Sequence, residues 1–81
     1  ANAEVDAAEP AIYPNPFGDH LTLRAADRVS QIEIFGADGR LLLKQDRPGT
    51  SVDVHTLPAG VYLIRLTLND NSQRTLRGLK H

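Results

Sequence analysis

Three histidines, three serines and ten carboxylates are the side chains of this chain best suited to chemistry. His20, His55 and His81 are scattered, none lies four residues from another His, and there is no Cys. Asp19 beside His20, and Asp53 two before His55, each offer at most a pair of metal ligands. Metal sites converge three or four ligands, so no metal or other cofactor is expected. Ser30, Ser51 and Ser72 fall near predicted turns or strand starts, without a nucleophile elbow. A Ser-His-Asp set forms in space, so spacing alone leaves it open. A domain of 81 residues nevertheless has little concave surface to enclose a substrate. Gly36-Ala37-Asp38-Gly39 is no phosphate loop, because neither Lys-Ser/Thr nor a helix follows it. An enzyme is not expected.

Charge placement is more informative than charge type. The sum is −1, which gives no bulk attraction to nucleic acid. The opening segment carries Glu4, Asp6 and Glu9 without a cation, and the final one carries Arg74, Arg77 and Lys80 without an anion. A basic end suits an acidic partner. It also suits a solvated edge strand protected against aggregation. The charges alone leave both open.

The elements that must position these residues are short. Eighty-one residues make one small domain, and hydrophobic residues at 41% argue for a fold rather than disorder. Without Cys no disulfide can help, and the compartment stays open. No apolar run approaches the roughly 20 residues of a membrane-spanning helix. The acidic start lacks the positive region of a signal peptide. Residues 1–11, rich in Ala and acids, read as a linker, and residues 12–81 as the folded domain.

Within the domain the apolar period is two. Leu21 and Leu23, Ile32 and Ile34, Val52 and Val54, and Tyr62, Ile64, Leu66 and Leu68 each share a strand face. Val61 and Leu63 make the other face of the last set apolar too, which predicts a central strand. Pro14 and Pro16 forbid a regular ladder, with Tyr13 and Phe17 beside them expected as core anchors. Phe35 and Tyr62 are expected in the core as well. Asp38-Gly39 supplies the positive φ of a hairpin, and Pro58 and Gly60 shape the turn before residue 61. About seven strands at turn spacings of roughly 8–12 residues, with no helix signal, predict an all-β Ig-like antiparallel sandwich.

In order, Tyr13-Pro14-Asn15-Pro16-Phe17, the hairpin through Gly39-Arg40, Leu57-Pro58-Ala59-Gly60-Val61-Tyr62 and the basic end at Lys80 resemble a known family. They are similar to the type A C-terminal sorting domain of type IX (Por) secretion cargo, over about residues 12–81. The resemblance implies an Ig-like sandwich that catalyses nothing and follows a cargo domain in the same precursor. It implies passage through the periplasm, recognition by the outer-membrane translocon and its shuttle proteins, and delivery to the cell surface. A sortase-like cysteine peptidase then removes the domain. Pro16 and Phe17 match the early motif, Gly60 and Tyr62 the Gly-x-Tyr motif, and Arg77 and Lys80 the terminal basic motif. Arg74, Arg77, Gly78, Leu79 and Lys80 are accordingly expected to be read by the translocon, with Pro14, Pro16, Phe17, Gly39, Pro58, Gly60 and Tyr62 as scaffold.

Two other functions compete. An accessory module gripping carbohydrate or a surface protein requires exposed aromatics on one face. A pilus-like subunit would work by strand addition. Unprotected edges in so small a sandwich also predict edge-strand homodimers of the isolated domain.

Overall fold

The computed structural model describes residues 11–13 and 16–81. Most of the expected linker, with Pro14 and Asn15, lies outside the described residues; Ala11 opens the first strand. Seven strands follow in order: β1 (Ala11–Tyr13), β2 (His20–Arg24), β3 (Val29–Phe35), β4 (Leu41–Asp46), β5 (Ser51–Asp53), β6 (Gly60–Leu68) and β7 (Gln73–Lys80). Between β2 and β3 a single 3-10 turn spans Ala26–Arg28. Three residues are too few to leave a periodic signal, so the sequence showed no helix there.

The strands form a three-stranded sheet, β1-β2-β5, and a four-stranded sheet, β4-β3-β6-β7. Every ladder is antiparallel. The alternating apolar residues meet between the sheets: Leu21, Leu23 and Val52 from one, Ile32, Ile34, Tyr62, Ile64 and Leu66 from the other. This is the small β-sandwich that the period-two pattern predicts. Burying that apolar surface is what holds so short a chain together.

Two turns shape strands of the larger sheet. In the β3–β4 hairpin Gly39 has φ 84°, its N–H donates to the Gly36 carbonyl at 2.9 Å, and Gly36 N–H donates to Arg40 C=O. That is a type I turn closed by a left-handed glycine, and it shifts the ladder between Ile34 and Phe35. Before β6, Leu57 is buried and Gly60 takes φ 153°, a value unfavourable to side-chain-bearing residues. Tyr62 is buried and its hydroxyl donates to the Pro58 carbonyl. The arrangement has the form of a tyrosine corner and ties the turn to its own strand.

Two core expectations change, for Tyr13 and Phe35, while the central place of β6 holds. Tyr13 is exposed, because β1 is a short edge strand and Tyr13 sits at its end. Phe35 is half-buried on the solvent side of β3, covered by the Arg65 guanidinium 5.1 Å from its ring centre. β6 is central in the hydrogen-bonding order, between β3 and β7, yet Val61 and Leu63 stay exposed. A strand central in its sheet is covered on both edges, not on both faces.

Candidate functional site: the solvent face of the last hairpin

The β6–β7 ladder sorts the terminal residues by phase. Gly78 pairs with Tyr62 and Lys80 with Gly60, while Arg77 pairs with Leu63 and Leu79 with Val61. Tyr62 points into the core, so its partner Gly78 does too, and Lys80 follows two residues on. Both are buried, Lys80 with 6% exposure. Arg77 and Leu79 face solvent. Arg74 shares the phase of Gly78 and Lys80 but lies near the other end of the strand, where it remains exposed. The five residues expected to be read therefore do not form one surface.

Lys80 is held by contacts on several sides. Its Nζ lies 3.8 Å from the Asp19 carboxylate, which is itself largely exposed. Phe17 and Lys80 form an isolated parallel bridge. Phe17 N–H donates to Leu79 C=O at 2.8 Å, and His81 N–H donates to Phe17 C=O at 3.1 Å. The Phe17 side chain is fully buried. The early Pro-containing motif and the terminal motif, far apart in sequence, are thus one piece of structure.

On the solvent face the ladder aligns Leu41, Phe35, Leu63 and Arg77 across all four strands, with Val61 and Leu79 in the next row. Leu41, Val61, Leu63 and Leu79 are each between 38% and 45% exposed. A shallow groove is lined by Val61, Arg77, Gly78 and Leu79. The sequence signal for this surface was the pair Val61 and Leu63, apolar on the wrong face of their strand. One row away, Arg65 donates through Nε and Nη2 to Glu33 Oε1 at 2.9 and 2.8 Å. That pairing satisfies the carboxylate of a nearly buried Glu33. Arg77 stands in the apolar row itself, paired in register with Leu63.

The side chains suited to chemistry sit elsewhere. His55 Nδ1 is 2.7 Å from Asp53 Oδ1, and the same oxygen accepts the His55 N–H at 2.9 Å. These bonds hold the Asp53 carboxyl below its ordinary value of 3.8. The Ser72 hydroxyl and N–H likewise lower Asp70. Both are exposed turn-capping arrangements, one at the end of β5 and one in the β6–β7 turn. Among the described residues no group of three or more His, Asp or Glu converges on a metal position. Nor do the aromatics gather: Tyr13 lies on the three-stranded sheet, Phe35 on the four-stranded one, and Phe17 and Tyr62 are buried.

The chain is thus a small β-sandwich with an apolar-basic stripe on its last hairpin. A family model described as the secretion system C-terminal sorting domain matches residues 11–77. The chain belongs to that family, the sorting domains of type IX secretion cargo. It is a family of sorting signals, not of enzymes, and its cargo is exported to the cell surface or the extracellular space. The match ends at Arg77, so Gly78, Leu79 and Lys80 lie beyond it. Comparison with curated proteins gave no match.

Proposed function

We propose that the type IX translocon and its shuttle proteins read the solvent face of β6–β7, with Arg77 and Leu79 as the contact residues. Arg74 adds positive charge near the far end of the strand. Gly78 and Lys80 act from inside, holding the strand in phase. The observation that carries this is the alignment of exposed Arg77 and Leu79 beside exposed Leu63 and Val61. An apolar patch with a cation at its margin suits a protein surface that offers apolar contact and a carboxylate. Delivery proceeds through the periplasm, and a sortase-like cysteine peptidase then cuts upstream of the sandwich, within or before residues 1–11.

The test is export of a periplasmic reporter fused to residues 1–81 in a type IX-competent host. Leu79→Glu should retain folding and lose most export. Normal export of a folded Leu79→Glu fusion would contradict the proposal. Deleting residues 77–81 is a poorer test, because it removes the buried Gly78 and Lys80 along with the exposed pair. Cleavage is checked separately, by mass determination of the new C-terminus on the released cargo. A reporter that keeps the whole domain at the surface would contradict that step.

A further inference from the structure

Phe17 meets the end of β7 through both its backbone and its ring. Its N–H and C=O bracket the end of β7 through Leu79 and His81, and its ring lies over Gly78. A Cβ placed on Gly78 would sit 2.8 Å from the Phe17 ring, 2.9 Å from Ile64 Cδ1 and 3.2 Å from Ile12 Cδ1. No real Cβ tolerates two such contacts without a shift of its neighbours. Gly78 is therefore a socket, and its side-chain-free backbone is what lets the Phe17 ring close down on β7. The residue has an ordinary strand φ, so conformational freedom is not the reason for glycine here.

The consequence concerns the strand's phase. β6 holds β7 along one edge, and the Phe17 bridge holds its last residues along the other. Strand ends fastened on one edge fray, and frayed residues lose a fixed facing direction. Fastened on both, β7 turns Gly78 and Lys80 inward and thereby fixes Arg77 and Leu79 outward. We infer that Phe17, seated in the Gly78 socket, is a positioning residue of the sorting signal. The recognised element is discontinuous in sequence and is assembled only when residues 16–18 close over β7. This rests on the reading of Arg77 and Leu79 as the contact residues, and it adds a residue that touches no partner.

Three variants of the 81-residue chain test the inference, each assayed as a reporter fusion for export and in isolation for amide exchange. Gly78→Ala wedges the socket. Phe17→Leu combined with Gly78→Ala retracts the ring from the wedge. Leu68→Ala removes buried surface at the opposite end of β6 and serves as a control for lost stability. Gly78→Ala should quicken exchange of the Phe17 and His81 amides about tenfold relative to the Ile34 amide, and cut export about tenfold. The double variant should recover most of both. Leu68→Ala should lower Tm at least as much as Gly78→Ala yet export nearly normally. Export that follows Tm alone across the three variants would overturn the inference. So would unchanged Phe17 and His81 exchange in Gly78→Ala, whatever its export. If exchange quickens while export is normal, and folded Leu79→Glu also exports normally, the contact-residue reading fails and takes this inference with it. If only Leu79→Glu blocks export, the positioning role alone is overturned.

Discussion

β4 and β7 occupy the two edges of the same sheet and meet the same hazard, a row of backbone groups open to another chain. They meet it differently. β4 is exposed along nearly its whole length, with Leu43 half-buried, and its ladder carries a register shift beside the hairpin. It mixes signs, with Lys44 and Asp46 two residues apart. β7 carries only cations and no carboxylate, and its last residues are clamped by Phe17. The first edge is tolerated and the second is built. A strand that must be recognised benefits from being held still, and clamping removes part of its edge from competition with other strands.

Substitutions that separate the two edges follow, from the largest effect to the smallest. Phe17→Ala empties the socket over β7 and should cost about 3–5 kcal/mol, enough to unfold much of a domain this size. Chemical denaturation checks it, and a loss under about 1 kcal/mol would mean that the clamp is not an anchor. Tyr62→Phe deletes the hydroxyl bond to Pro58 C=O and should cost about 1 kcal/mol, because the carbonyl loses a partner at a mostly covered corner. On the other edge, Leu42→Lys should change stability by less than about 0.5 kcal/mol, since Leu42 is exposed. An edge lysine should also suppress concentration-dependent association of the isolated chain, measured by sedimentation. Association that persists unchanged would place it away from β4.

The smallest effect belongs to the exposed carboxylates. Asp53 and Asp70 have pKa values lowered on folding, so each contributes stability that is fully present above the ordinary value of 3.8. That contribution is lost as pH falls through the lower folded value. Between pH 7 and pH 5, Asp53→Asn and the unchanged chain should therefore differ by a constant amount. The difference should shrink only in the acid range. Convergence already near pH 6 would contradict the assignment to Asp53.

The strands were legible because their apolar residues alternate in phase, as Leu21 with Leu23 and Ile32 with Ile34 do. β7 offers no such phase. Leu76 and Leu79 are three apart, so no period-two pattern can bury both, and the sequence cannot say which faces inward. The pairing of Gly78 with Tyr62 decides it, turning Leu79 out and Lys80 in. The bridge from Phe17 to Lys80 was illegible for a related reason. It joins distant residues through backbone groups, which carry no side-chain signature. Tyr13 failed in the opposite way, because an aromatic beside a proline says nothing about which layer covers it, and Tyr13 is exposed. The surface formed by Val61 and Leu63 was visible as apolar residues on the second face of β6; they predict a central strand, which β6 is, and they are exposed.

Matched charge reversal on the two edges is the most direct measurement. Arg77→Glu and Lys44→Glu change the net charge equally, and both residues are exposed on strands at opposite edges of one sheet. In the reporter fusion, Arg77→Glu should abolish most export while Lys44→Glu exports normally, with both chains folded. Equal export by the two variants would contradict recognition of the β6–β7 face.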